Sequence, residues 1–332
     1  MNIKDIYLEA LKELGYTETE ARFLYIVSTH SGYFTSQHYL TFAEVKRGYR
    51  SDALTRKLLN NKHAAPEIHP RNARIYHVFA RKIYSAIGKE NIRNRRDHEF
   101  QFIKTRLSGL DFILANQQHD YFDTEDDKVR YFCEALGVEK HALPTKLYLG
   151  TRNSSITPRY FVDKFPMFLP MIAGSPIITF TYVAPEAENL IAFVTHLQTY
   201  LPLFRSLKQF TFLFISPCEP LLPKARAIFL SLVKGPLETP PAAEITRYFQ
   251  VRKLWELRQF AAIKNEDIQF LGDATRRFAS ERVQELYRAW AKDELSDARL
   301  TALFCGSNGQ RQVNFDSCLI KRQRFPPVAV AA

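Results

Sequence analysis

The chain has 332 residues, of which 46% are hydrophobic and 13% aromatic, and its formal net charge is +11. Disordered chains are poor in aromatic residues, so this composition excludes a disordered chain and predicts a folded protein of two or three domains. The 4 cysteines lie far apart without a C-x-x-C pair, which argues against a zinc ribbon or a dithiol redox site and suits a reducing cytosol.

The positive charge is concentrated in residues 46–104, which hold 15 Lys or Arg against 5 Asp or Glu, a local balance of +10. A segregated basic surface is typical of proteins that bind polyanions, and DNA is the commonest such partner. This stretch therefore favours a DNA-binding domain.

The N-terminal region has the apolar spacing of helices. Residues 1–15 show this spacing and lack the layout of a signal peptide. Thr17 and Glu20 form a capping box, which predicts that a helix begins there. A second, short helix is predicted to begin at Thr35 or Ser36.

A basic helix is predicted next, from Ser51 to about residue 61. Ser51 is the expected N-cap, because a serine hydroxyl can accept a hydrogen bond from the first turn. Leu54 and Leu58 are four residues apart and predict the buried side of this helix.

A basic hairpin is predicted after this helix. Residues 66–69 and 74–79 read as strands on either side of a turn at 70–73. The order helix, helix, helix, basic hairpin is that of a winged helix-turn-helix, which we predict for residues 1–90.

In a winged helix the third helix enters the major groove of DNA. Arg56 is predicted to contact guanine O6 and N7, and Asn60 to pair with adenine. Lys57 and Arg50 are predicted to contact phosphates, which set the register without reading the sequence. The predicted DNA-binding residues are the exposed positions of the helix and the wing, namely Arg50, Ser51, Asp52, Thr55, Arg56, Lys57, Asn60, Lys62, Arg71, Asn72 and Arg74.

Residues 91–144 are predicted to form a helical connector or dimerisation segment. A long periodic stretch covers residues 96–116, and a further helix is predicted over 127–136. These helices and residues 1–15 could form the interface of a homodimer or pack within one chain, and both alternatives stay open.

A small α/β domain is predicted over residues 145–240. Its predicted elements, in chain order, are strands at 146–149, 159–168 and 177–183, a helix at 187–200, a strand at 210–215 and a helix at 221–233. The uncharged run 165–185 contains several Pro and Gly residues, so it predicts two strands and a turn rather than a membrane span.

Residues 241–332 are predicted to be a helical C-terminal region with a mobile basic tail. The predicted fold class is therefore α+β and multidomain, with the winged helix, the helical connector, the α/β domain and the helical region in that order.

Motifs for cofactors and metals are absent from the sequence. No P-loop, dinucleotide fingerprint or nucleophile elbow occurs, and no close His/Cys grouping indicates a metal site. His69 and His77 are expected to be surface or strand residues rather than ligands. We expect no cofactor, no metal and no membrane partner.

The layout of the α/β domain resembles the restriction-endonuclease-like fold. In that fold an Asp on one strand and an acid-x-Lys on the next hold a divalent metal for phosphodiester hydrolysis. Asp163 matches the first position, but residues 177–183 offer neither acid nor Lys. Glu186 and Glu188 lie beyond that strand, so a nuclease would use Asp163 with Glu186 or Glu188. The incomplete set predicts an inactive copy.

The helix and hairpin over 48–79, and residues 159–163 leading into 178–182, together resemble the replication-relaxation family of bacterial plasmids and other mobile elements. The resemblance implies an N-terminal winged helix ahead of a nuclease-like α/β domain. It covers about the first two thirds of the chain.

These observations predict a cytoplasmic, non-enzymatic protein that binds double-stranded DNA and associates with the bacterial nucleoid. Its expected role is transcriptional or replication control of a mobile genetic element. The alternatives are a metal-dependent DNA nuclease and a protein-binding adaptor.

Overall fold

The computed structural model describes residues 1, 3–45, 49–69, 73–149, 156–163, 165–171, 177–186, 190–233, 242–278, 281–304 and 312–320. The protein is a mixed α+β chain. It divides into two compact units, one formed by Met1–Gly235 with Arg311–Ala332 and the other by Pro236–Gln310.

The first unit begins with helices and a small antiparallel sheet. The elements in chain order are α1 (Asp5–Glu13), α2 (Glu18–His30), β1 (Tyr33–Phe34), α3 (Ser36–Phe42), α4 (Tyr49–Asn60), β2 (Ala64–His69), β3 (Ala73–Val78) and α5 (Arg81–Ala86). The strands are ordered β1-β3-β2, with β3 antiparallel to both neighbours. The predicted succession of helices and hairpin is thus present.

The capping box and the buried leucines predicted for this region are present, but the predicted N-cap of α4 is not. The Thr17 hydroxyl accepts a hydrogen bond from the Glu20 amide, and the Glu20 carboxylate accepts one from the Thr17 amide, which confirms the capping box. Leu54 and Leu58 are fully buried in the core, as expected. Ser51 is not the N-cap of its helix, because α4 already begins at Tyr49.

The helix α6 (Phe100–Ala115) packs inside this unit rather than on its surface. It contacts α2, α3 and β1. Its buried residues lie on most sides of the helix and include Lys104 and Arg106 as well as apolar side chains. Of the two alternatives for residues 96–116, packing within the chain is therefore the one observed.

The rest of the first unit contains a two-stranded sheet and a mixed sheet. The remaining elements are β4 (Asp120–Tyr121), α7 (Glu125–Arg130), β5 (Thr145–Leu149), β6 (Ile156–Tyr160), β7 (Met167–Leu169), β8 (Thr179–Val183), α8 (Ile191–Ser206), β9 (Gln209–Ser216), α9 (Leu221–Leu232) and β10 (Gln312–Leu319). A π-helical turn, Tyr131–Ala135, continues α7. β5 pairs with β6, and the larger sheet has the order β10-β9-β8-β7-β4.

The larger sheet is parallel from β8 to β10 and antiparallel at β7 and β4. Phe210, Phe212 and Phe214 alternate along β9 and are fully buried, which follows from a strand with a covered face. The strand β10 was not predicted, yet all eight of its residues pair with β9.

The predicted strand at 159–168 is wrong, because the chain leaves the extended conformation after β6. Phe161 has a left-handed backbone with φ of 48°, and Pro166 has no amide to donate to a ladder. The prediction of two strands for the run 165–185 is confirmed by the antiparallel pairing of β7 with β8. The turn between them lies outside the described residues.

The second unit is helical, as predicted for residues 244–303. It consists of α10 (Ala242–Glu256), α11 (Asn265–Arg277), α12 (Glu281–Ala291) and α13 (Asp297–Phe304) in the described range. Its own core contains Ile245, Tyr248, Phe249 and Leu300.

Within the described part of the chain, no helix combines the length and the apolar character needed to cross a membrane.

Candidate nucleic-acid interface

The basic helix α4 has one buried and one exposed face. Leu54 and Leu58 attach it to the core, while Asp52, Arg56 and Asn60 are exposed. The three exposed residues are spaced four apart and therefore form one stripe along the helix. Arg56 makes no hydrogen bond or ion pair with any described residue, so its guanidinium is available to a ligand.

Ser51 and Thr55 do not belong to this exposed stripe. Both residues are buried, so the prediction that they contact DNA is wrong. The Thr55 hydroxyl donates to the backbone carbonyls of Ser51 (3.0 Å) and Asp52 (3.2 Å). Their positions follow from the helix register, which turns them toward the core beside Leu54 and Leu58.

Lys57 binds within the protein instead of projecting toward a phosphate. Its Nζ donates to Glu20 Oε2 at 2.6 Å and to the Gly15 carbonyl at 3.0 Å. The side chain also lies over the Tyr16 ring, 5.4 Å from its centroid. The predicted phosphate contact of Lys57 would have to compete with this ion pair to a buried acid 37 residues earlier in the chain.

The hairpin of β2 and β3 follows α4 directly. Arg74 is exposed on β3, opposite Ile68. Lys62 is exposed in the connection from α4 and has a left-handed backbone with φ of 54°. Arg71 and Asn72 lie outside the described residues, and so does the side chain of Arg50.

Several cations of the basic stretch have structural partners. Lys89 is buried and donates to Asp123 Oδ2 at 2.8 Å, and the Lys104 ammonium pairs with Glu186. Arg93 lies over the Tyr148 ring, 4.4 Å from the centroid. The local balance of +10 thus overstates the charge available to a polyanion.

The carboxylates considered for a nuclease are also engaged. Asp163 lies in the segment after β6, where Oδ1 accepts from the Tyr200 hydroxyl at 2.6 Å and Oδ2 lies 2.6 Å from Nδ1 of His196. Burial alone would raise the pKa of Asp163, but His196 and Tyr200 hold that pKa below its usual value. Glu186 pairs with Lys104, and Glu188 lies outside the described residues.

One group of side chains in the small sheet has the composition of a metal site. The ligand atoms of Glu67, His77 and Asp97 all lie within 4.8 Å of one another. His77 Nε2 donates to the Asn94 carbonyl at 3.0 Å, and Nδ1 lies 3.2 Å from Asp97 Oδ1. The pairing of the His77 ring with the Asp97 carboxylate accounts for this contact, and the Asp97 side chain is 96% exposed. No motif in the sequence indicates this group, because its members come from three separate segments.

Comparisons with protein-family models, with curated proteins and with solved structures found no match to this chain.

Proposed function

We propose that this protein binds double-stranded DNA through a winged helix-turn-helix formed by α2, α3, α4 and the β2–β3 hairpin. The exposed stripe of Asp52, Arg56 and Asn60 is the observation on which this proposal rests. It lies on a helix that is anchored by two buried leucines and followed at once by an antiparallel hairpin, with exposed cations at Lys62 and Arg74.

The side chains of the stripe have the chemistry for base recognition. Arg56 can donate two hydrogen bonds to guanine O6 and N7, and Asn60 can pair with the N6 and N7 edge of adenine. Lys62 and Arg74 are suited to phosphates on either side of the groove, because their charges are exposed. Such contacts would support transcriptional or replication control of a mobile element in the bacterial cytoplasm. The proposal assigns no catalytic step to the chain.

A titration of the full-length protein with duplex DNA at several salt concentrations tests this function. Each phosphate contact releases a counterion, so ~5 contacts give a log–log salt slope of about −4.5. Fluorescence anisotropy of a labelled duplex measures the affinity at each salt concentration. Absence of binding at low salt, or a flat slope, would remove the DNA proposal and favour a protein-binding adaptor.

A further inference from the structure

A cavity of about 710 Å³ lies within the first unit. Its wall is formed by the end of α2, residues 88–93, the start of α7 and the segment that follows β6. Small-molecule sites usually have volumes of about 300–1,000 Å³, so the cavity has the size of a ligand site. Aromatic side chains make up much of its apolar wall, namely Phe122, Tyr160, Phe161 and Phe165.

The ammonium group of Lys128 lies in this wall without a direct counter-ion among the described residues. Lys128 is only 7% exposed, and its Nζ lies 5.8 Å from the centroid of the Phe161 ring. Its Nζ makes no hydrogen bond or ion pair with any described residue. Burying an ammonium group costs free energy unless the group is paired with an anion or hydrogen-bonded. Burial accordingly lowers the pKa of Lys128 to about 8.

Two carboxylates in the cavity wall have cationic partners. Asp123 pairs with Lys89 at 2.8 Å, and Glu125 pairs with Arg159 at 2.8 Å. Asp163, Glu125 and Asp123, in that order of strength, favour the charged form of Lys128, but no ion pair joins its Nζ to a described carboxylate. The Lys128 ammonium can therefore still form a direct ion pair with an anionic ligand that enters the cavity.

Two further side chains in the cavity wall could contact a polar ligand. His30 is buried, and its Nε2 has no hydrogen-bond partner, although Asp123 Oδ1 lies 3.4 Å away in a poor direction. Lys140 is exposed at the same cavity, where its Nζ lies 5.2 Å from the centroid of the Tyr160 ring. A ligand could thus meet one buried cation, one exposed cation and aromatic rings.

We propose that this cavity binds a small organic anion, with a phosphate or carboxylate group on Lys128 and an aromatic body against Phe161 and Tyr160. A charge-assisted hydrogen bond would give the buried ammonium its missing partner. The rings would cover the apolar part of the ligand. This inference does not depend on DNA binding by α4.

Calorimetric titration of the full-length protein with four probes tests the ligand class. Phenyl phosphate, benzoate, inorganic phosphate and neutral benzyl alcohol separate the contributions of charge and ring. We expect phenyl phosphate or benzoate to bind one per chain, at least tenfold more tightly than inorganic phosphate and benzyl alcohol. The tighter of the two identifies phosphate or carboxylate as the preferred group. Binding of neither aromatic anion at millimolar concentration, or equal binding of benzyl alcohol, would overturn the proposal.

A substitution of the buried lysine tests the place of binding. Lys128→Met keeps the length of the side chain and removes its charge, so it should weaken binding of the aromatic anion at least tenfold. Lys224→Met, at an exposed position of α9, removes the same charge and should leave the affinity unchanged. Full affinity in Lys128→Met would overturn the proposal.

If Lys128→Met does not fold, lysine acylation of the wild-type protein, with and without ligand, tests the place of binding. Bound phenyl phosphate or benzoate should protect Lys128 from acylation, measured by mass spectrometry, while Lys224 remains reactive. Equal acylation of Lys128 with and without a saturating aromatic anion would place binding elsewhere and overturn the proposal.

Discussion

At the scale of single residues, two adjacent cations of α4 have different surroundings. Arg56 is exposed and makes no hydrogen bond or ion pair with any described residue, whereas Lys57 binds a buried carboxylate. The two residues are one helical step apart, about 100° around the axis, so they face different neighbours. We therefore expect them to affect different measurements.

Arg56→Ala should weaken binding to a selected DNA site by about 1–3 kcal/mol and relax the preference at one base pair. The loss arises because alanine cannot donate to guanine O6 and N7. Anisotropy titrations against the selected site and against single-base variants measure both effects. Arg226→Ala removes an exposed arginine of α9 and serves as the matched control. An equal loss on every sequence would show that Arg56 contacts only phosphates.

Lys57→Met should lower the free energy of unfolding by about 1–2 kcal/mol. The substitution removes the ammonium that donates to Glu20 and to the Gly15 carbonyl, and it leaves the Glu20 carboxylate with one donor fewer. The side chain is 30% exposed, which moderates the loss. Urea unfolding followed by circular dichroism measures it, and Lys62→Met, at an exposed position, should change little. An unchanged unfolding midpoint in Lys57→Met would contradict this account.

At the scale of elements, β10 completes the edge of the mixed sheet from a distant part of the chain. Its residues pair with β9 from Gln312↔Gln209 to Leu319↔Ser216. Val313 is buried in the same hydrophobic cluster as Phe212 of β9, while Asn314, on the opposite side of the strand, is exposed. Because side chains alternate between the two faces of a strand, we expect a charge to destabilise the protein at position 313 but not at position 314.

Val313→Asp should destabilise the first unit by about 3 kcal/mol or more, because it buries a carboxylate without a partner. Asn314→Asp adds the same charge on the exposed side and should cost less than about 0.5 kcal/mol. Urea unfolding compares the two variants directly. Equal stabilities would mean that β10 does not pack against the sheet as described.

At the scale of the whole molecule, buried ionisable groups make the stability of the first unit depend on pH. The pKa of His30 is lowered to about 4, mainly by burial; Asp123 opposes this change, and Lys89 and Lys128 contribute to it. The unfolded chain therefore takes up a proton near pH 6.5 that the folded chain does not take up until about pH 4. This difference stabilises the fold above pH 6.5 and is lost as the pH falls.

We expect the free energy of unfolding to decrease between pH 6.5 and pH 4, with His30 contributing on the order of 3 kcal/mol. Asp123 and Asp163, whose pKa values are lowered, add a further loss below about pH 3.8. His30→Gln should reduce the slope above pH 4, and the exposed control His141→Gln should not. Circular dichroism should be used rather than tryptophan fluorescence, because Trp255 and Trp290 both lie in the second unit and would not report on the first. An identical slope in His30→Gln would contradict the assignment.

Local sequence patterns specify many of the helices and strands of this protein. The capping box at Thr17 and Glu20, the leucines of α4 and the alternation in β9 each depend on residues close together in the chain. The spacing of apolar residues shows which face of a helix or strand is buried, and its period indicates which of the two forms.

Which charges are exposed, and which strand pairs with β9 at the sheet edge, depends on contacts between distant parts of the chain. Lys57, Lys89 and Lys104 all contribute to the basic stretch, yet each binds an acid at least 34 residues away. The cavity beside Lys128 likewise combines segments that are distant in sequence. The physical reason is that a charge pattern records the sign and spacing of side chains, whereas the partner that neutralises each charge is set by packing between distant segments.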